Sequence, residues 1–109
     1  MNYINFEAGN EVYKLRLNTR AVIELEKKLG CNPLSIFGKG DTIPTITIMV
    51  YVLHAALQPL QHNLKLENAY DIFDRYLEDG HTMMDFLPVM IDLFKASGLL
   101  TTEDNEKNV

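Results

Sequence analysis

The chain opens on an alternation of apolar and polar residues. Ile4 and Phe6 are interleaved with Asn5 and Glu7, and Tyr13, Leu15 and Leu17 with Lys14 and Arg16. A period of two predicts a pair of half-buried strands. Gly9-Asn10 lies between them and tolerates the positive φ angles that a tight hairpin turn demands. Two strands alone are marginal in water, so the apolar face of this hairpin needs helices to cover it.

After Leu17 the period lengthens. Asn18, or Thr19 beside it, can cap a helix in which Ala21, Val22, Leu25 and Leu29 share one face, while Glu24, Lys27 and Lys28 point outward. Gly30 supplies a left-handed stop. Asn32-Pro33 restarts the chain as cap plus first helical residue of a short turn through Ile36 and Phe37, and Gly38-Lys39-Gly40-Asp41 reads as a flexible loop. Pro44 opens the most apolar segment, Thr45 to Gln58. Its β-branched residues Ile46, Thr47, Ile48, Val50 and Val52 would also suit a strand. Length favours a helix, as does the polar stripe Thr47, Tyr51, His54, Gln58 at spacings i, i+4, i+7 and i+11; a helix apolar on its other sides is a central one. Pro59 ends it.

The segment Leu66 to Glu78 predicts a cleaner amphipathic helix, with Leu66, Ala69, Tyr70, Phe73 and Leu77 inward and Glu67, Asp71, Asp74 and Glu78 outward; Gly80 stops it. Thr82-x-x-Asp85 resembles a capping box for a last helix. Pro88 lies in its first turn if Asp85 is the cap, or kinks it otherwise. Leu87, Met90, Ile91 and Phe94 form one face, Phe86 and Leu93 widen it, and Gly98 terminates the element. The pattern predicts an α+β fold, predominantly α: an N-terminal β-hairpin packed on a small bundle of about four to five helices. It makes residues 1–100 a single domain and residues 101–109 a disordered polar C-terminal tail.

Composition narrows the function classes. A chain of 109 residues has room for one domain whose core is thin, and composition alone does not decide whether it hides apolar surface in an oligomer. The formal charge of −5 speaks against nucleic-acid binding, where Lys and Arg must neutralise phosphates. Cys31 is the only cysteine, so no intramolecular disulfide is possible. No basic region precedes an apolar run at the start, and the longest apolar stretch, Ile43 to Leu57, is shorter than the ~20 residues a bilayer needs. A cytoplasmic protein without membrane contact is the expectation.

Candidate chemistry is sparse. The acidic stripe Glu67, Asp71, Asp74, Glu78 reads as a solvated helix face, with no calcium-loop spacing beside it. His54, His62 and His81 lack metal-site spacing, and one Cys cannot build a thiolate cage. Ser35 and Ser97 sit in no nucleophile elbow, Cys31 has no basic neighbour, and Gly38-Lys39-Gly40 is no phosphate loop. No catalytic residue, metal or cofactor is expected. What remains is apolar surface on the last helix. Met83, Met84, Phe86, Leu87, Met90, Leu93 and Phe94 are candidate partner-binding residues, in a groove between that helix and the central one. Methionine there suits a surface that adapts to several partner shapes. Met90 serves equally well as core, whereas Met83 and Met84 precede the helix and are the better candidates for an exposed patch.

The order of parts resembles the tail assembly chaperones of long-tailed bacteriophages and prophages. The resemblance rests on the run from Tyr13 through Arg16-Leu17-Asn18-Thr19-Arg20-Ala21 to Lys27-Lys28-Leu29-Gly30, on Asn32-Pro33-Leu34 and Ile36-Phe37, and on the closing helix from Met83 to Leu100. It implies a non-enzymatic protein that binds and solubilises the tape measure protein during tail morphogenesis. It further implies self-association, a short form of a frameshifted pair whose longer product recruits the tail tube protein, residence in the host cytoplasm and absence from the mature virion. The rival expectations are a structural tail or connector component, which would be found in virions, and a small regulatory protein, which would bind DNA against the acidic balance.

Overall fold

The computed structural model describes residues 2–37 and 43–101. The predicted glycine-rich loop and all but the first residue of the predicted tail lie outside the described residues. Strands β1 (Ile4–Ala8) and β2 (Glu11–Leu15) pair antiparallel, with Ile4 opposite Leu15 and Phe6 opposite Tyr13. Gly9 and Asn10 join them at φ +58° and +68°, the doubly left-handed turn that matches the twist of a two-residue hairpin. Phe6, Ala8 and Leu15 turn inward and are buried, while Asn5, Glu7, Val12 and Lys14 face out.

Among the described residues four α-helices follow: α1 (Thr19–Leu29), α2 (Ile46–Leu57), α3 (Leu66–Glu78) and α4 (Phe86–Ala96), with short 3-10 turns at Pro33–Phe37 and Met83–Asp85. Each boundary has a local cause. The Asn18 side chain accepts from the Ala21 N–H at 2.9 Å, and the Thr45 hydroxyl accepts from the Ile48 N–H at 3.1 Å, each satisfying a donor that no turn of helix precedes. Thr82 and Asp85 bond reciprocally at 3.3 and 2.9 Å, so the capping box forms and Pro88 falls in the first turn of α4 without kinking it. At the far end of α4, Gly98 at φ +82° lets the Leu99 N–H return to the Phe94 carbonyl at 2.8 Å. The segment whose β-branched content left a strand open is helical. Its residues Met49, Val52, Leu53, Ala56 and Leu57 are fully buried, so packing from several sides overrides local β preference.

The hairpin is tied to the bundle by backbone groups as well as by its apolar face. The Arg16 N–H donates to the Ala56 carbonyl at 3.0 Å, and the Leu17 N–H to Ser97 Oγ at 2.9 Å. Gln61 occupies part of the open edge of β2: its side-chain amide accepts from the Lys14 N–H at 2.6 Å and donates to the Lys14 carbonyl at 2.7 Å. A free strand edge invites pairing with another chain, and this amide blunts it. At the turn, the Gly9 N–H donates to Asp79 Oδ2 at 2.8 Å. A Cβ on Gly9 would lie 2.6 Å from Arg75 Cδ and 3.2 Å from Arg75 Cβ, and the positive φ already disfavours any L side chain. Gly9→Ala is therefore expected to lower the unfolding free energy by about 1–3 kcal/mol, read as a shift of the urea midpoint at unchanged slope.

The inward face of α3 differs from the expected stripe. Ala69, Ile72, Phe73 and Tyr76 are buried, Leu66 and Leu77 are half-buried, and Tyr70 stands 50% exposed. The helix is rotated so that Tyr76, not Tyr70, meets the hairpin, with its ring centroid 4.8 Å from that of Phe6.

Candidate partner-binding surface

The seven sequence candidates on the last helix divide into two groups. Phe86, Met90, Leu93 and Phe94 are fully buried, which corrects their assignment to a partner surface. Phe86 packs edge-on against Phe6 and Phe73 with centroids 5.6 and 5.3 Å apart, and Phe94 packs edge-on against Phe37 at 5.4 Å. These side chains are the material that fills the space between hairpin and helices. A domain this small depends on large side chains such as these to fill its core. The groove expected between α4 and α2 is corrected for the same reason, since the facing residues of both helices belong to one continuous core.

The other three candidates stay accessible. Met84 is 49% exposed, and Met83 and Leu87 are half-buried. Ile91, also half-buried, continues the line. Leu87 and Ile91, at i and i+4, lie along one side of α4, and Met84 stands in the 3-10 turn just before it. Met84, in the 3-10 turn before α4, and Leu87 and Ile91 on α4 thus leave partly open apolar surface beside the buried Phe86, Met90 and Phe94. The acidic residues of α3 (Glu67, Asp71, Asp74, Glu78) are all exposed, as a solvated face requires.

A second feature was not found by sequence reasoning. A cleft of about 640 Å³ opens between α1 and α2, with Ala21, Leu25 and Ala55 among its apolar lining and Arg20, Lys28 and His54 among its polar groups. The stripe Tyr51, His54, Gln58 on α2 was legible, and all three residues line this cleft. On the α1 wall the sequence pattern turns Ala21 and Leu25 inward and Glu24 and Lys28 outward, and it assigns Arg20 to neither face. The meeting of the two walls depends on tertiary packing, which no local pattern encodes.

His54 is held below its ordinary value of 6.5, chiefly by burial and then by the nearby Lys28 charge, with the Leu64 carbonyl acting weakly in the other direction. The folded state therefore binds the His54 proton less readily than the unfolded chain. This contribution to stability is complete above pH 6.5 and is lost as the pH falls through the lower folded value. His54→Gln should flatten that part of the stability-against-pH curve, checked by urea titrations at stepped pH. Tyr76 is displaced upward, by burial and then by the Asp85 carboxylate, so its ring stays neutral in the fold beyond pH 10.

Among the described residues no group of three His, Cys, Asp or Glu side chains is placed to hold a metal ion, and no helix is long and apolar enough to cross a membrane. Comparison with curated proteins and with solved structures found no match. The chain matches the model of DUF6096, a family of unknown function, over residues 5–108, and it belongs to that family.

Proposed function

We propose that this member of a family of unknown function is a tail assembly chaperone, which binds the tape measure protein and keeps it soluble until the tail tube forms around it. The observation that supports the reading is the partly exposed apolar line of Met84, in the turn before α4, and Leu87 and Ile91 on α4, beside a buried core. A tape measure protein is a long helical rod with apolar stripes of its own. An apolar line at helical spacing is what the face of such a rod can lie against. The contact is narrow, so each copy binds weakly and the arriving tube can displace it. Holding a long rod then takes many copies, which fits the proposed self-association and the proposed recruitment of tube subunits by a longer form. The exposed acidic face of α3 supports solubility of a coated rod through like-charge repulsion between copies. The reading assigns the chain to the host cytoplasm and not to the virion.

The first test is solubility. A tape measure protein from the genome that encodes this chain is produced alone and together with it, and the soluble fraction is measured. The proposal predicts a mostly insoluble tape measure protein alone and a mostly soluble one in company. Equal insolubility in both cultures would refute it.

A further inference from the structure

We propose that the cleft between α1 and α2 is a binding site for a small organic oxyanion, a compound with a compact apolar body and a phosphate or carboxylate group. Arg20 and Lys28 stand on the α1 wall, His54 on the α2 wall, and His62 lies just beyond the end of α2. Against these four basic side chains the lining carries a single carboxylate, Glu24. The ion pair that Glu24 makes among the described residues, at 3.9 Å, is with Lys27, which lies outside the lining. Among the described residues neither Arg20 nor Lys28 has a carboxylate within ion-pair distance. In a chain whose net charge is −5, a concavity lined by Arg20 and Lys28 with one carboxylate is a local focus of positive charge, and an anion is the ligand such a focus attracts.

The rest of the lining defines what the anion is attached to. The cleft, about 640 Å³, lies within the range of roughly 300–1,000 Å³ typical of small-molecule sites. Leu25, Ala55 and Pro59 give it apolar surface, and Tyr51 gives it an aromatic ring. Lys28 Nζ already sits 5.9 Å from the centroid of that ring, so the ammonium is held at the cleft by its own cation–π contact. Arg20 offers a planar fork suited to two oxygens at once. His54 is half-buried, and burial first and the Lys28 charge second oppose its protonation. A bound anion screens that charge and adds an acceptor. Both effects favour the protonated form of His54, against the burial that opposes it. The groups facing His54 in this account are Arg20, Glu24 and Lys28 from α1, Tyr51 on its own helix, His62 and the Leu64 carbonyl.

The test is an NMR titration of the full chain, following the His54 and His62 ring protons while inorganic phosphate or acetate is added at constant ionic strength. A nucleoside monophosphate and an aromatic carboxylate form the second pair of probes. The expected result is a saturable shift of both rings with an upward move of the His54 titration midpoint, and tighter binding of the organic probe than of its inorganic or acetate counterpart. Whichever pair saturates at lower concentration decides between phosphate and carboxylate. Arg20 and Lys28 are exposed, so R20Q/K28Q removes both charges without touching the core, and it should weaken binding at least about tenfold. Shifts that never saturate, or that persist unchanged in R20Q/K28Q, would overturn the proposal.

Discussion

Phe86→Ala is expected to remove about 3–5 kcal/mol of stability, because a fully buried ring is lost and the space it leaves is lined by other rings that cannot collapse into it. Phe86 meets Phe6, Phe73 and Tyr76 with centroids 5.6, 5.3 and 5.9 Å away, each at a steep, edge-on angle. The cluster joins β1, α3 and α4, so its loss is felt by the hairpin and by two helices together. A domain of this size has roughly 5–15 kcal/mol in all, so the variant should unfold at markedly lower denaturant concentration. Phe86→Leu should recover part of the loss. A charge at Phe86 would unfold the protein, and any loss of binding by such a variant would report on folding alone.

The second large effect is expected on binding and not on stability. Met84→Glu combined with Leu87→Glu should weaken capture of the tape measure protein by at least about tenfold. Each glutamate would have to be desolvated against an apolar helix face, and both sit on the same stripe. Met84 is half-exposed and Leu87 half-buried, so the thermal transition should move far less than in Phe86→Ala. A double variant that melts like the parent and still binds like it would remove the stripe from the account.

The contrast between these two substitutions marks how far the sequence could be read. The hairpin was legible because alternation and Gly9-Asn10 agree with each other, and the bounds of α3 because Leu66 and Gly80 bracket one amphipathic run. What was not legible is which apolar side of a helix finds a partner inside the same chain. On α3, Tyr70 and Tyr76 compete for the inward position at nearly equivalent spacings, and only the place of Phe6 on the hairpin decides for Tyr76. On α4 the apolar circumference is wider than one contact needs. Phe86, Met90, Leu93 and Phe94 are drawn into the core, while Leu87, Val89 and Ile91 stay partly open, as does Met84 in the turn before the helix. Methionine at Met90 and methionine at Met84 look alike in the sequence; one seals the core and the other borders solvent. The cleft illustrates the same limit for polar residues. Arg20 and His54 lie far apart in the chain, and only the packing of α1 on α2 makes them neighbours on opposite walls.

The most direct measurement is affinity purification of the protein from phage-producing cells, with mass spectrometry of what accompanies it and of the finished particles. The account predicts a very long helical tape measure protein in the purified complex, its loss when Met84 and Leu87 are replaced by glutamate, and no trace of this chain in the virion. Recovery of the chain in finished particles, with no tape measure protein bound to it in the cell, would contradict the account and make it a structural component of the tail.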